Sequence, residues 1–481
     1  MMQRREFVKY AGFSLVGFIL PKRVFAKIDQ RPNIIYIMSD DHALEAISCY
    51  GSWLKDYAKT PNIDRIAKEG MRFDNVCCNN SICSPSRASI ITGQYSHKNG
   101  VKVLRGKINE DSPCFPAELQ KAGYQTMLYG KWHLASEPKG FDDYWVIKNQ
   151  GRYFDPKFNG TRGAKAIKGY STDIYTDIAL EALDKRDKAK PFCLLLQFKA
   201  PHSPFDYPRR LEKLLKDVEV AEPENMHEDV ASTSPLLKKK HYSFLNRGPV
   251  DYYEKFVQGD GGGDDREKAS LAYQHLIHKY IRCITAVDEN IGRVLDYLDN
   301  EKLADNTVVV YTSDQGYWLG QHGMYDKRLI LEESIKMLFV VRYPKEIKAS
   351  SVCDKICVNV DFPVTLLDFA NAAVPTAMQG ESMRPLMQGK TPSNWREAVF
   401  YCYWAREPFH WGIRSERYTY IRFPGTDAVE IYDLQKDPKQ MQNQASNPEY
   451  AKAIAMCERK LKRLMREVDI KPEDLPKAIT K

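Results

Sequence analysis

The chain has 481 residues, of which 43% are apolar and 28% charged, and it contains 26 prolines and 27 glycines. This composition is typical of soluble globular proteins and excludes global disorder, a fibrous architecture and a small disulfide-stabilised module. The formal net charge of +8 would attract a polyanion, although a mixed charged surface also serves solubility alone. At roughly 150 residues per domain, the length predicts about three domain units, or one large domain with a smaller one.

The N-terminus has the pattern of an export signal. An apolar run at residues 10–20 follows the basic pair Arg4 and Arg5, and it is shorter than a bilayer span requires. A small-residue stop ending at Ala26 predicts that residues 1–26 are a signal peptide. We therefore expect an exported protein, in the bacterial periplasm or alternatively secreted or surface-bound, without stable membrane insertion. Export by the twin-arginine route and export by the general secretory (Sec) route both fit this signal.

The first 390 residues alternate between two kinds of pattern. Continuous apolar runs rich in β-branched residues predict strands buried on both faces of a parallel sheet. These runs lie at 33–38, 193–198, 307–312 and 338–342, with a weaker one at 126–129. Helical patterns lie between them, at 61–69, 116–122, 175–187 and 269–300. The alternation predicts an α/β domain over residues 27–389, with a large, mostly parallel sheet flanked by helices.

Residues 219–265 interrupt this alternation with a polar insertion. It carries a basic run at 238–240 and a glycine-rich run at 259–263. We interpret it as a surface loop near the mouth of the site, and a solvated insertion without a role is the alternative.

The pattern changes again at about residue 390. Half-buried strand patterns at 398–404, 411–423 and 429–434 are separated by turns, and a helical pattern at 448–468 follows them. The sequence therefore predicts a smaller C-terminal α+β domain, residues 390–481, with antiparallel strands and one helix.

Acidic and amide side chains follow two of the predicted strands. Asp40 and Asp41 come after the first strand, while Asp314 and Gln315 come after the strand at 307–312. Ligands of open α/β sheets bind beyond the carboxyl ends of the strands, and all-oxygen ligands select Ca²⁺ or Mg²⁺ over zinc. One such aspartate is often only a turn residue, but two pairs at strand ends predict a cation site.

Between these pairs lies the run CSPSRASIITG, residues 83–93. Cys83 lies near Arg87 and near the predicted start of a helix at Pro85, so positive charge and the helix dipole would favour its thiolate. The chain has eleven cysteines, and an odd number in an exported protein leaves at least one unpaired. These features predict a reactive thiol at Cys83.

The same run resembles the signature of the formylglycine-dependent sulfatases of the alkaline-phosphatase superfamily, in which Cys or Ser is followed by any residue, Pro, Ser and Arg, and later by Thr-Gly. Other segments resemble that family in the same order along the chain. They are Asp40-Asp41, GKWH at 130–133, APHSP at 200–204, SDQG at 313–316, LGQHG at 319–323 and DKR at 326–328. Gln315 and Gln321 depart from the commonest pattern, but Gln315 keeps an amide oxygen available to a metal.

The resemblance implies a sulfatase in which a cytosolic maturase has oxidised Cys83 to formylglycine. The hydrated aldehyde attacks the sulfur of a sulfate ester, and loss of its second hydroxyl proton then releases sulfate and restores the aldehyde. The cation is expected to be one Ca²⁺, with Mg²⁺ the less expected alternative. The resemblance assigns Asp40, Asp41, Asp314 and Gln315 as its ligands, together with the modified Cys83.

The resemblance also implies catalytic roles. Arg87 would orient the diol, and His133 would be the base for its second hydroxyl. Lys131 and Lys327 would neutralise sulfate oxygens, while His202 or Lys327 would protonate the departing alkoxide. Taken singly, each histidine has a structural alternative and each lysine a surface alternative.

The expected substrate is a sulfated polysaccharide or its oligosaccharides, either an algal glycan such as ulvan or a glycosaminoglycan-like chain, and we expect no nucleic-acid partner. His410 and Arg414 lie in a segment that resembles the pocket rim of carbohydrate-active members. Further candidate sugar contacts, for some of which core packing is the alternative, are Trp145, Arg152, Tyr153, Phe205 and Tyr317. Alternatives to this function are an arylsulfatase with small substrates, a phosphatase or phosphonate hydrolase of the same superfamily, and a non-catalytic glycan-binding relative.

Overall fold

A computed structural model describes residues 31–228, 234–238, 243–244 and 264–478. The predicted signal peptide and the glycine-rich run of the insertion lie outside the described residues. Within these ranges, no helix combines the length and the apolar character needed to cross a membrane. The structure describes all eleven cysteines, and none of them forms a disulfide.

The strands are numbered in chain order. They are β1 (Asn33–Asp40), β2 (Met71–Cys77), β3 (Gln125–Lys131), β4 (Asp143–Ile147), β5 (Lys157–Gly160), β6 (Lys165–Ala166), β7 (Phe192–Pro201), β8 (Thr307–Ser313), β9 (Trp318–Leu319), β10 (Tyr325–Asp326), β11 (Lys336–Arg342), β12 (Ser351–Cys353), β13 (Cys357–Val358), β14 (Ala398–Tyr403), β15 (His410–Ser415), β16 (Tyr418–Arg422) and β17 (Val429–Asp433).

The α-helices of the described ranges flank these strands. They span Pro61–Lys68, Cys83–Thr92, Ser96–Asn99, Phe115–Lys121, Ser171–Asp184, Pro235–Lys238, Asp265–Asn300, Glu332–Ile335, Asp361–Phe369, Arg384–Met387 and Ala451–Glu467.

One large sheet organises most of the molecule. Its strand order is β12-β2-β11-β8-β1-β7-β3-β4-β5-β6, and β13 pairs with the end of β2. The central strands β8, β1, β7, β3 and β4 are parallel to one another. Only β11 and β5 run against the other strands of this sheet. The predicted large, mostly parallel sheet is therefore confirmed.

The sheet is central because its strands are apolar on both faces. In β1, Ile34 and Tyr36 face one apolar layer, and Ile35 and Ile37 face the other. The long helix Asp265–Asn300 covers the second layer. Crossover connections place the carboxyl ends of the parallel strands at one edge, and this is the edge where ligands bind in such sheets.

Several strands were not anticipated from the sequence, among them β2 and β4 of the large sheet. In β2, buried residues alternate with half-buried ones such as Arg72 and Asp74, so the strand lacks a continuous apolar run. β4 contributes only a short buried stretch next to β3. The predicted single strand at 411–423 is instead the hairpin of β15 and β16.

The C-terminal part contains the predicted antiparallel sheet, in the order β14-β15-β16-β17. The helix Ala451–Glu467 buries Cys457, Leu461 and Leu464 against it. The Cys402 N–H donates to the Asn79 carbonyl at 3.1 Å, so this sheet borders the chain that leads into Cys83. One apolar cluster is continuous between the two sheets, and the predicted boundary at 389/390 stays a prediction.

Several described residues of the insertion are packed against the rest of the protein. Leu236 and Leu237 are buried. A carboxylate oxygen of Glu430 accepts from the Ser234 hydroxyl at 2.9 Å and from the Leu236 N–H at 2.8 Å. These residues of the insertion are therefore anchored to β17, unlike a solvated surface loop.

Candidate active site

The two predicted pairs of polar residues, Asp40 with Asp41 and Asp314 with Gln315, meet at the edge of the large sheet. β1 and β8 are parallel neighbours, with Ser39 opposite Ser313, so the residues that follow them lie together. The Asp41 N–H donates to a carboxylate oxygen of Asp314 at 3.2 Å, and the Gln315 amide donates to Asp41 at 2.5 Å. Asp41 has a positive φ of 66°, which turns the chain sharply after Asp40.

Cys83 reaches the same group of side chains from the start of a helix rather than from the end of a strand. It is the first residue of the helix Cys83–Thr92 and is almost fully buried. Its Sγ donates to Oδ1 of Asp40 at 3.3 Å and lies 3.9 Å from Nε2 of Gln315. The structure thus brings the cysteine together with Asp40 and Gln315.

The prediction that Cys83 has a favoured thiolate is wrong for the unmodified residue. Burial raises the pKa of the thiol to about 12. The positive charge of Lys327 lowers this pKa and the carboxylates of Asp314 and Asp41 raise it, while Arg87 is a smaller influence. Desolvation of the thiolate therefore outweighs the nearby cations, and the thiol is a neutral hydrogen-bond donor.

Arg87 connects three strands at the site. Its Nε donates to Asp314 at 2.9 Å. Its Nη1 donates to the Lys131 carbonyl at 2.7 Å and to the side-chain oxygen of Gln197 at 3.1 Å. Gln197 lies within the apolar run of β7, where its neighbours offered no signal of a role in the site. Through these hydrogen bonds, Arg87 fixes the positions of β8, β3 and β7 relative to one another at this edge of the sheet.

The two predicted lysines each contact a carboxylate. Lys131 contacts Asp40 and also the side-chain oxygen of Gln150. Nζ of Lys327 lies 2.6 Å from both carboxylate oxygens of Asp41. Burial alone would lower the pKa of Lys327, but the charges of Asp41 and its other anionic neighbours raise it well above its usual value. Lys327 is therefore a permanent cation.

Lys131 depends on the glycine before it. Gly130 has a φ of 106°, and a Cβ atom there would lie 2.0 Å from the Gln197 carbonyl oxygen of the adjacent β7. Only glycine therefore allows β3 to turn Lys131 and His133 into the site beside β7.

Both predicted histidines lie at the cluster in the neutral state. A ring nitrogen of His133 lies within 4.8 Å of Asp40 and Cys83 ligand atoms. Burial, followed by the charge of Lys131, lowers the pKa of His133 far below its usual value. Nε2 of His202 lies 3.6 Å from Asp41, and burial lowers the pKa of this ring as well.

The oxygen atoms of the cluster fit a hard divalent cation. Asp40, Asp41 and Asp314 provide three carboxylates within one buried site. Among the described residues, Oε1 of Gln315 is buried and accepts no hydrogen bond, whereas Oδ2 of Asp40 is in contact with the Lys131 ammonium. A buried carbonyl or carboxylate oxygen that lacks a donor is satisfied by a metal ion, and such oxygen ligands suit Ca²⁺ or Mg²⁺. The predicted ligand set is consistent with this chemistry.

His410 does not have a free ring nitrogen for a substrate. Its Nδ1 donates to the Pro408 carbonyl at 2.7 Å, and its Nε2 accepts from the Ile330 N–H at 3.2 Å. The ring is fully buried and stacks on Tyr401, with 5.6 Å between ring centroids. The structure therefore assigns His410 a structural role in place of the predicted substrate contact.

Arg414 is likewise engaged with protein groups. Its Nε and Nη2 each lie 3.0 Å from a carboxylate oxygen of Glu332, and Nη2 also donates to Asn75 at 3.0 Å. Arg414 lines a cavity of about 620 Å³ whose lining includes none of the predicted catalytic residues. Arg414 thus forms an ion pair between β15 and the helix Glu332–Ile335, its Nη1 has no hydrogen-bond partner among the described residues, and the predicted substrate contact stays a prediction.

Four of the five further candidates for sugar contact are buried, as the core-packing alternative expects: Trp145, Tyr153, Phe205 and Tyr317. Arg152 alone is exposed. Tyr153 has a local function at the site, because its hydroxyl donates to the His202 carbonyl. Lys199, a buried lysine at the end of β7, was missed because no sequence motif distinguishes it.

Comparison with known proteins identifies the family. The family model described as Sulfatase matches residues 32–372. The chain belongs to the sulfatase family. A second model, described as N-sulphoglucosamine sulphohydrolase, C-terminal, matches residues 320–467. The predicted fold of alkaline-phosphatase type and the predicted sulfuric ester hydrolase activity are therefore confirmed.

This sulfatase is similar to several proteins with named activities. It is 40% identical to an N-acetylglucosamine-6-O-sulfatase of Bacteroides thetaiotaomicron over 92% of this chain and 87% of that protein. It is 27% identical to an ulvan-active sulfatase of Formosa agariphila over 91% of this chain and 82% of that protein. A solved structure, BT4656 with its substrate D-glucosamine-2-N,6-O-disulfate, is similar with a TM-score of 0.86 and 38% identity, covering 92% of this sulfatase and 99% of that chain.

Proposed function

We propose that this sulfatase removes the 6-O-sulfate from glucosamine residues of sulfated glycans. The similarity to an N-acetylglucosamine-6-O-sulfatase and to a structure bound to a 6-O-sulfated glucosamine, each over 92% of this chain, is the observation that supports this substrate. The ulvan-active relatives are less identical in sequence to this chain, so an algal glycan is the alternative substrate.

The buried cluster suits a sulfate ester because its own cations can neutralise the sulfate oxygens. Lys131 and Lys327 reach the cluster from different strands, and each contacts a carboxylate of the cation site. Burial lowers the pKa of Lys131 well below its usual value, so Lys327 is the permanent cation of the two, and Lys131 can also bind a sulfate oxygen as a hydrogen-bond donor. A fixed charge in a buried site stabilises the charge that develops on the sulfate more strongly than water does. We assign Lys131 and Lys327 to the sulfate oxygens.

The leaving group of a sugar 6-sulfate is an alkoxide that needs a proton. We assign this proton donation to His202 in its imidazolium form, in which Nε2 at the cluster carries a proton, and the removal of a proton at residue 83 to His133. The negative charge of a bound sulfate ester would favour this imidazolium over the neutral ring of the unliganded site. Ca²⁺ bound by Asp40, Asp41, Asp314 and Gln315 would acidify the nucleophile, and formylglycine made from Cys83 would supply that nucleophile. The cofactor identities rest on the residues that fit them and on the family resemblance.

We also propose that the protein is modified in the cytosol and then exported. The basic and apolar pattern of residues 1–26 supports a periplasmic location, reached by the twin-arginine or the general secretory route. The buried position of Cys83 supports modification of the chain before it folds, because a maturase must reach the thiol.

The proposed substrate is tested with a panel of defined saccharides. The protein, produced together with a formylglycine-generating maturase, is given N-acetylglucosamine 6-sulfate, its 3-sulfate isomer and ulvan oligosaccharides, and sulfate release is measured. We expect the 6-sulfate to be hydrolysed at least about 100-fold faster than the 3-sulfate, since misplacing the ester oxygen removes the aligned geometry. Faster release from the 3-sulfate or from ulvan would overturn the proposed substrate.

A further inference from the structure

Lys199 is a buried cation that has no carboxylate partner within the described ranges. It lies near the end of β7 and is 2% exposed. Its Nζ donates to the Ser203 carbonyl at 3.2 Å and lies 4.8 Å above the centre of the Tyr153 ring. Burial lowers the pKa of Lys199 to about 8, so most of the side chain stays charged at pH 7. A buried ammonium with only a carbonyl and an aromatic face is unfavourable for folding.

The partners of Lys199 belong to the loop that carries His202. The Ser203 carbonyl accepts from Nδ1 of His202 at 2.8 Å as well as from Lys199. The Tyr153 hydroxyl donates to the carbonyl of His202 itself. Lys199 and Tyr153 therefore contact each other and hold the carbonyls of two consecutive residues of this loop.

The shared acceptor determines how the His202 ring is presented. A carbonyl can only accept, so Nδ1 keeps its hydrogen, and Nε2, 3.6 Å from Asp41, is the atom that takes up the second proton and passes it to the leaving oxygen. The Ser203 carbonyl is the shorter of two oxygen contacts of Nδ1, the other being the Ser203 hydroxyl at 3.4 Å, and Lys199 is the cation that holds this carbonyl. Rotation of the Ser203 peptide would remove the restraint on Nδ1.

We propose that Lys199 is a positioning residue that, together with Tyr153, orients His202 toward the leaving oxygen of the substrate. This proposal rests on the proposed role of His202 as proton donor. It explains why an energetically unfavourable buried ammonium is present: the function of Lys199 is to direct a neighbouring ring rather than to stabilise the fold.

The test is a double-mutant cycle between Lys199 and His202, measured as sulfate release from whichever saccharide of the panel the wild type hydrolyses. Lys199→Met keeps an unbranched side chain over Tyr153 and removes the donor. We expect it to lower kcat by about 10- to 100-fold, because a proton donor contributes about 10²–10⁴ and loses part of this when misaligned. KM should change by less than about threefold, since the sulfate contacts remain.

The cycle shows whether Lys199 acts through His202. We expect Lys199→Met/His202→Ala to be no slower than His202→Ala alone, because residues that act as a unit are not additive. Tyr153→Phe, which keeps the ring and removes the donor to His202, should resemble Lys199→Met. The thermal midpoint of Lys199→Met should not fall, since a structural lysine would lower it and an unpaired buried ammonium would not.

The matched control is Lys102→Met, because Lys102 also lies over an aromatic ring, that of Trp404, but outside the cluster. Its kcat should equal that of the wild type. Additive losses in the double variant, or a KM increase in Lys199→Met, would show direct sulfate binding and overturn the proposal. Full activity of His202→Ala would instead overturn the assigned role of His202 and, with it, this inference.

Discussion

Asp41 and Lys327, 286 positions apart in the chain, form a buried ion pair in which Nζ lies 2.6 Å from both carboxylate oxygens. Burial raises the pKa of Asp41 to about 6, and the charge of Lys327 is the main influence that opposes this rise. The pair therefore keeps a carboxylate of the proposed cation site ionised near neutral pH.

Removing only the lysine should leave an uncompensated buried carboxylate. Without added calcium, Lys327→Met should reduce the free energy of unfolding by about 3–5 kcal/mol, and Asp41→Asn/Lys327→Met should recover part of this loss. Urea unfolding followed by circular dichroism measures both. The control Lys185→Met breaks an exposed pair with Glu181 and should cost less than about 1 kcal/mol. Equal stability of Lys327→Met and wild type would show that the pair is not energetically coupled.

Cys83→Ala should abolish sulfate release while the protein stays folded. The substitution removes a hydrogen bond to Asp40 and a small buried side chain, so we expect the free energy of unfolding to fall by only about 1–2 kcal/mol. Cys83→Ser should be equally inactive unless the host has a serine-type maturase. Mass spectrometry of the peptide that contains residue 83 should show a lower mass than the thiol predicts in the active wild type. Turnover by Cys83→Ala would disprove the proposed nucleophile.

Asp314→Asn should weaken calcium binding without removing the contacts of Arg87. The amide keeps an oxygen for the Arg87 Nε and lacks the charge that a hard cation requires. Wild-type protein stripped with chelator should gain about 2.7 kcal/mol of stability at a calcium concentration 100 times the Kd, and the variant should gain much less at that concentration. Asp177→Asn, on the exposed surface, is the control. An unchanged calcium response in Asp314→Asn would exclude Asp314 as a ligand.

His410→Phe should affect stability rather than substrate affinity. The phenyl ring keeps the stacking on Tyr401 but leaves the Ile330 N–H without its acceptor, which should cost about 1–3 kcal/mol. KM for the hydrolysed saccharide should stay within about threefold of wild type. The free energy of unfolding and steady-state kinetics distinguish the two roles. A large KM increase with unchanged stability would restore the role in substrate binding that the sequence suggested.

In the large sheet, the strands that could be predicted are those whose residues are almost all buried. β1 and β8 read as unbroken apolar runs, and the polar residues that follow them then indicated the edge of the sheet where Asp40 and Asp314 meet. β2 was missed because half-buried polar residues interrupt its apolar pattern. A hydrophobic pattern reports local burial, so it reveals central strands more readily than those nearer the sheet margin.

The sequence by itself determined the family and indicated the proposed nucleophile and the charged residues of the site, because short motifs consist of residues whose chemistry is needed whatever surrounds them. The tertiary structure decided which of these side chains already use their polar atoms in hydrogen bonds within the protein. Both ring nitrogens of His410 bond to backbone groups of Pro408 and Ile330, whereas Oε1 of Gln315 accepts no hydrogen bond from the part of the chain that the structure describes. It also revealed Lys199, whose role depends on a carbonyl and a ring that no local pattern places beside it. Hydrogen-bond partners and desolvation arise from residues distant in the chain, and only the folded arrangement specifies them.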